Sequence, residues 1–225
     1  MIGNKQRSLI TYRNPKSPIS EQFRTIRTNI EFSSVDKEMR TVMVTSSSPG
    51  EGKSTTVANL AVTIAQQGKK VLLVDTDLRK PTVHYTFRQA NTQGLTSLLT
   101  KQTTFESIVK KTEVENLYVL PSGPIPPNPA ELLASTAMKS FIKHALTMYD
   151  MIVFDTPPVL AVTDAQVMTN LCDGTVLVIQ SGETEKEAAL KAKELLLQAK
   201  GTIVGTVLNR KPQKKSNYYY YYAQS

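Results

Sequence analysis

The sequence predicts an α/β fold built on a doubly wound, mainly parallel sheet. Three observations carry that expectation: six short β-branched runs that are apolar on successive residues, helical stretches between them, and a glycine-bearing loop between the first run and the first long helix. Half-buried strands alternate apolar and polar residues, whereas continuous apolar runs suit strands covered by helices on both faces. Alternation of the two element types then selects the α/β class.

A first helix is expected from Ser20, followed by Glu21, to about Phe32. The strands are expected at Thr41–Ser46, Val71–Val74, Leu117–Leu120, Met151–Phe154, Thr175–Gln180 and Ile203–Leu208. Further helices are expected from Lys53 to Gln67 with Gly68 as its stop, near Pro129 to Met148, and from about Glu183 to Lys200 with Gly201 as its stop. The proline-rich stretch from Pro121 to Pro129 reads as a rigid loop directly after a strand, either part of the ligand crevice or a plain connector. From Arg210 onward the chain is polar, basic and then all tyrosine, which reads as a flexible tail. Residues 1–40 are thus an N-terminal segment with a helix, 41–209 the core and 210–225 the tail of a single domain.

With 225 residues the chain has material for one well-filled core. A net charge of +8 beside 40% hydrophobic residues describes a folded basic protein suited to anionic partners, whether lipid headgroups, nucleic acid or phosphorylated chains. No apolar run approaches the ~20 residues of a membrane span, and the N-terminus lacks the apolar core of a signal peptide, so a cytoplasmic chain is expected. The single cysteine, Cys172, allows no internal disulfide and belongs to no metal-ligand spacing, and reads as packing.

The segment Ser47-Ser48-Pro49-Gly50-Glu51-Gly52-Lys53-Ser54-Thr55 lies between the first strand and the helix opening at Lys53. In that setting backbone N–H groups converge on phosphate oxygens, Lys53 puts positive charge on the β and γ phosphates, and the Ser54 hydroxyl reaches magnesium. The general phosphate-loop pattern begins with glycine, and Ser47 takes that place here. Residues 48–55 are therefore candidate nucleotide contacts, with ATP and Mg2+ as cofactors. Two more strands end in acids, at Asp75-Thr76-Asp77 and at Asp155. In a parallel sheet these ends face the edge that carries the phosphate loop, where a magnesium–triphosphate would lie. Singly, such acids are often helix caps or solvated loop residues.

Taken together, Pro-Gly-Glu-Gly-Lys-Ser-Thr at 49–55, Asp75-Thr-Asp77-Leu-Arg-Lys-Pro81, Asp155-Thr-Pro-Pro158, Pro126-Pro-Asn-Pro-Ala-Glu-Leu-Leu133 and the tyrosine tail resemble the bacterial tyrosine kinases of capsule and exopolysaccharide synthesis. The likeness is to the form found as a separate cytoplasmic chain in Gram-positive bacteria, and it spans essentially the whole sequence. It implies a phosphate-loop NTPase fold of the partition-ATPase type. It also implies Lys53 on the phosphates, Ser54, Asp77 and Asp155 around the magnesium, and Asp75 as the base that accepts or orients the tyrosine proton. Lys53, Asp75 and Asp77 are the expected catalytic residues. Asn209 and Arg210 resemble positions that flank the adenine in related ATPases.

Glu21, Arg24 and Arg27 are spaced by three and share one helical face. By themselves they read as a solvated ion pair, while the resemblance implies contacts between subunits of a ring. The tail carries Tyr218, Tyr219, Tyr220, Tyr221 and Tyr222, the expected autophosphorylation sites, with transfer between subunits. Full modification would add roughly −8 to −10 charges and cancel the chain's surplus. The resemblance further implies a transmembrane activator that holds the chain at the inner face of the cell membrane, other protein-tyrosine substrates and a cognate phosphatase. Nucleic acid is not an expected partner.

Partition ATPases carry an extra lysine early in the loop, where this chain has Ser48. A transition-state positive charge is thereby left to Arg79, Lys80, a neighbouring subunit or the activator. The rival readings are a partition-type ATPase on DNA or membrane, opposed by Ser48 and the tail, and a non-catalytic nucleotide-gated scaffold, opposed by the intact Lys53, Asp75, Asp77 and Asp155. An iron–sulfur carrier is excluded by the single cysteine.

Overall fold

A computed structural model describes residues 9–33 and 38–212; the expected acceptors Tyr218 to Tyr222 lie outside the described residues. The elements run α1 (Ile10–Arg13), α2 (Pro18–Phe32), β1 (Thr41–Ser46), α3 (Lys53–Ala65), β2 (Val71–Asp75), α4 (Val83–Phe87), α5 (Leu95–Leu99), α6 (Phe105–Ile108), β3 (Lys110–Lys111), β4 (Leu117–Leu120), α7 (Pro129–Ala134), α8 (Thr136–Ala145), β5 (Met151–Asp155), α9 (Asp164–Thr169), β6 (Gly174–Gln180), α10 (Lys186–Gln198) and β7 (Ile203–Asn209). Among the described residues, seven strands form one sheet in the order β3-β4-β2-β5-β1-β6-β7. Every pairing is parallel except β3 against β4.

Successive strand residues point to opposite faces, so a strand apolar at each position must be covered twice. In β1, Val42 and Val44 pack in a cluster with Val57, Leu60 and Ile64 of α3. Met43 points the other way, into a cluster with Met138, Phe141 and Leu196 from α8 and α10. The two clusters are the two sides of a doubly wound α/β fold, as the sequence predicts. Cys172 packs against the second cluster, and burial raises its thiol pKa well above the ordinary value. That suits a packing residue and not a reactive thiol.

The expected strands are all present; β2, β5 and β7 each run one residue further, to Asp75, Asp155 and Asn209, and β6 starts one residue earlier, at Gly174. The helices differ more. The single helix expected over 129–148 is two, because Ser135 is extended (φ −68°, ψ 158°) and its side chain caps α8 by accepting the Met138 N–H. α2 starts at Pro18 instead of Ser20, since the Ser17 side chain accepts the Ser20 N–H and proline suits the first helical position. α10 starts at Lys186 instead of Glu183, because residues 180–184 close a turn in which the Thr184 hydroxyl accepts the Gln180 N–H at 2.8 Å.

The proline-rich loop after β4 is stapled to the segment before α5. Leu95 N–H donates to Pro121 O and Thr96 N–H to Ser122 O, both at 2.8 Å, and Gly123 N–H donates to Asn91 Oδ1 at 2.8 Å. A Cβ on Gly94 would stand 2.2 Å from Pro121 O and 2.4 Å from Gly123 N. Backbone atoms on both sides leave nothing flexible to give way. Gly94→Ala is therefore expected to lower the unfolding free energy in urea by about 2 kcal/mol; an unchanged midpoint would mean that the two loops separate freely.

Candidate active site

The ends of β1, β2 and β5 meet at one edge of the sheet, where Asp155 is in register with both Asp75 and Val44. The phosphate loop leaves β1 there and delivers the chain to α3 at Gly52. Gly52 has φ +92°, and a Cβ at that position would stand 2.1 Å from Asn209 Nδ2. The left-handed conformation therefore demands glycine, and a side chain there would also push the Asn209 amide aside. α3 follows with thirteen residues, and its leading N–H groups are oriented for an anion. Pro49 and Gly50 form the exposed tip; Ser48, Gly52 and Thr55 are half-buried; Glu51, Lys53 and Ser54 are buried.

Lys53 links the loop to the acids. Its Nζ stands 3.0 Å from Asp77 Oδ2, 3.2 Å from Asp155 Oδ1 and 3.3 Å from Ser54 Oγ. Burial pulls the ammonium's pKa down, but the fields of Asp155 and Asp77, with the hydrogen bond to Asp77, more than offset this and the net shift is upward. Lysine stays charged. Ser54, Asp77 and Asp155 are hard oxygen donors of the kind magnesium takes. Among the described residues no group of three or more His, Cys, Asp or Glu side chains is arranged to hold a metal. The donor set is one that phosphate oxygens and water would complete, as is usual for magnesium.

Asp75 is fully buried. Its Oδ2 accepts the N–H groups of Thr82 at 2.8 Å and Val83 at 2.9 Å, and its Oδ1 accepts Asp77 N–H at 3.2 Å. It thereby holds the 76–82 loop and the start of α4 against the sheet. Burial, then the Asp155 carboxylate, push its pKa up to about 7, with the backbone donors and Lys53 pulling the other way. Thr82 Oγ1 reaches Asp155 Oδ2 at 3.5 Å.

Arg79 is engaged elsewhere. Its guanidinium forks onto Asp164 at the start of α9, with Nε to Oδ2 2.9 Å and Nη2 to Oδ1 3.0 Å, and Asp164 is fully buried. That contact ties the loop after β2 to the loop after β5. The Lys80 N–H caps Asp77 Oδ1 at 3.0 Å. At the far side of the phosphate loop, Asn209 Nδ2 donates to Glu51 O at 2.8 Å, and Arg210 Nη1 donates to Gln180 Oε1 at 2.7 Å.

Glu21, Arg24 and Arg27 do not act as one patch within the protomer. Glu21 and Arg24 pair with each other on α2, and Arg24 also donates to Pro15 O at 2.7 Å. Arg27 turns inward and donates to Thr63 O of α3 at 2.9 Å. Asp164, Thr82 and Thr184 escape a reading of the sequence, because no local motif marks them and each meets its partner only through the fold.

A phosphate loop on β1, strand-end acids on β2 and β5 and a doubly wound parallel sheet define a phosphate-loop nucleotide-binding protein. A family model described as an AAA domain matches residues 39–200. The chain is 59% identical over 214 residues to tyrosine-protein kinase YwqD of Bacillus subtilis (strain 168), covering 95% of this chain and 90% of that one. Its structure superposes on the chimerical protein CapA2B2 with TM-score 0.89 and 47% identity, covering 91% and 90% of the two chains. It also superposes on the septum site-determining protein MinD from Pyrococcus horikoshii OT3, solved with Mg-ADP, with TM-score 0.66 and 26% identity over 78% of this chain and 72% of that one. The chain belongs to the bacterial tyrosine-protein kinases.

The raised Asp75 pKa has a thermodynamic consequence. A carboxyl that titrates at about 7 when folded, against ~3.9 unfolded, adds stability that is fully present below about pH 4 and lost as pH rises through about 7. Unfolding free energies of the nucleotide-free wild type, compared with Asp75→Asn between pH 5 and 8, are expected to show a steeper decline for wild type. Parallel profiles would mean that Asp75 is ionised throughout that range.

Proposed function

We propose that this protein-tyrosine kinase transfers the γ-phosphoryl group of ATP to Tyr218–Tyr222 of a second copy of the chain. In doing so it regulates the synthesis and export of capsular or exopolysaccharide. The single observation that carries the reading is the Lys53 ammonium held between Asp77 and Asp155 beside Ser54, a cation and hard oxygen donors gathered where the phosphate loop opens.

When ATP enters, its phosphates draw Lys53 away from the acids. The freed carboxylates of Asp77 and Asp155, with Ser54 Oγ, would hold the magnesium, which supplies positive charge to the phosphate oxygens. The loop N–H groups and Lys53 hold the β and γ phosphates in line with an incoming phenol. The phenol oxygen bonds to the γ-phosphorus, the bond to the β–γ bridging oxygen breaks, ADP leaves, and the phenol proton passes to Asp75. A pKa near 7 suits that acceptor near neutral pH. Since the transferring group is loosely bonded in the transition state, positioning and charge do most of the work, and a phenol of pKa ~10 needs no prior ionisation. Asn209 and Arg210 are assigned to the base end of the nucleotide.

With Arg79 committed to Asp164, the missing transition-state charge is assigned to Lys80, a neighbouring subunit or an activator. Glu21 and Arg24, on the exposed side of α2, are assigned with Arg27 to a ring contact between subunits. Among the described residues no helix is long and apolar enough to cross a membrane. The net charge of +8 fits a chain held at the inner face of the membrane by a transmembrane partner. Other tyrosine proteins as substrates, and a phosphatase that resets the tail, complete the proposed cycle.

Phosphotyrosine mapping on a mixture of full-length Lys53→Met with a chain lacking the last eight residues tests transfer between subunits. Phosphate is expected on Tyr218–Tyr222 of the Lys53→Met chain in the mixture and not on that variant alone. A modified wild type with an unmodified mixture would place transfer within one chain. ATP binding with no transfer, even with a membrane activator present, would overturn the kinase mechanism proposed for these residues. Asp75→Asn is expected to slow transfer at least ~100-fold while ATP affinity stays within about threefold; equal loss of both would remove Asp75 from the chemistry.

A further inference from the structure

Glu51 sets a paradox: a carboxylate stands inside a loop that receives a polyanionic phosphate chain. Charge alone makes this unfavourable for binding. The side chain is 5% exposed, and its oxygens are occupied by three donors. Oε1 accepts the Ser47 hydroxyl at 2.7 Å and the Thr184 hydroxyl at 2.5 Å, and Oε2 accepts the Ser48 N–H at 3.0 Å. Thr184 belongs to the turn between β6 and α10, 133 residues away in sequence. Its hydroxyl is fixed in turn by the Gln180 N–H at 2.8 Å, and the next residue of that turn holds Asn209, since Ser181 N–H donates to Asn209 O at 2.9 Å. Asn209 closes the circuit on Glu51 O.

We infer that Glu51 is a positioning residue whose carboxylate latches the phosphate loop to the β6–α10 turn, holding the loop in its binding shape before nucleotide arrives. Glu51 acts through Ser47, Ser48 and Thr184 and not on the nucleotide. The geometry explains why a negative charge is tolerated in the loop. A loop of serine, proline and glycine has no apolar side chains to pack and a large conformational entropy to lose. Three hydrogen bonds to one charged acceptor, each stronger than a neutral pair, are the available way to remove that freedom in advance. The inference rests on the phosphate loop being the nucleotide site, but not on tyrosine transfer.

The test is calorimetric titration of Mg2+ and ADP into the full chain, which reads the latch without any kinase activity. Glu51→Ala is expected to weaken ADP roughly tenfold, and Thr184→Val roughly fivefold. The double variant should be no weaker than Glu51→Ala alone, because both substitutions break one linkage. Thr184→Ser keeps the hydroxyl and should restore wild-type affinity. Urea midpoints of the same proteins separate loosening of the loop from global unfolding, and the Thr184 pair, nearly isosteric, keeps the test valid should Glu51→Ala fold poorly. Tighter ADP binding by Glu51→Ala would show that only its charge matters and overturn the inference. So would additive effects in the double variant, or a Thr184→Val protein that binds like wild type. Loss of tyrosine transfer with all affinities as expected would instead count against the kinase mechanism and leave the latch standing.

Discussion

One ammonium among three strand-end carboxylates is the constraint around which this site is arranged. Two unit charges a few ångströms apart attract by about 4 kcal/mol in a partly screened interior, yet removing each from water costs several kcal/mol. The contacts of Lys53 with Asp77 and Asp155 are therefore near break-even as a source of stability. Their value lies in exchange. In the mechanism proposed above, an ion group held close to balance would let an arriving triphosphate take the lysine and leave the acids for a metal, with little net penalty. The arrangement needs β2 beside β5, β5 beside β1 and Asp75 level with Asp155, and the parallel sheet supplies this register. Burial and the Asp155 carboxylate push the Asp75 pKa up to about 7, so the negative charge gathered at this edge is eased below neutral pH while Asp75 can still accept a proton near it.

The loops around this centre are fixed by buried carboxylates more than by apolar packing. Asp75 gathers backbone N–H groups from 77, 82 and 83. Asp164 receives the Arg79 fork, and Glu51 binds its own loop to the β6–α10 turn. Such loops are made of small polar residues, glycine and proline, and have little apolar surface to bury. A carboxylate with several donors gives them a single conformation, and the same bonds offset its desolvation. Each side of the nucleotide site is thus tied separately to the sheet.

Much of the fold was legible because sheet burial writes itself into composition. Val42-Met43-Val44 and Val71-Leu72-Leu73-Val74 are apolar on successive residues, and with helical stretches between such runs a parallel sheet covered on both faces accounts for them. The phosphate loop, Asp75, Asp77 and Asp155 were legible as local motifs with a fixed relation to strand ends. What escaped was either short or non-local. Helices α4, α5, α6 and α9 have too few turns to show a period, and the break at Ser135 depends on one hydroxyl choosing the Met138 N–H. Arg79 could have faced the phosphates or an acid; its partner, Asp164, lies 85 residues on. Arg27 shares a helical face with Glu21 in the sequence, but the packing of α2 on α3 gives it to Thr63 O.

The account turns on Lys53 competing with a metal for Asp77 and Asp155, and magnesium affinity measured without nucleotide tests this directly. Lys53→Met removes the competitor and leaves the acids in place, so the variant is predicted to bind Mg2+ more tightly than wild type, although it is impaired for ATP. Magnesium binding that is equal or weaker in Lys53→Met would contradict the exchange and return the Lys53 contacts to a purely structural role.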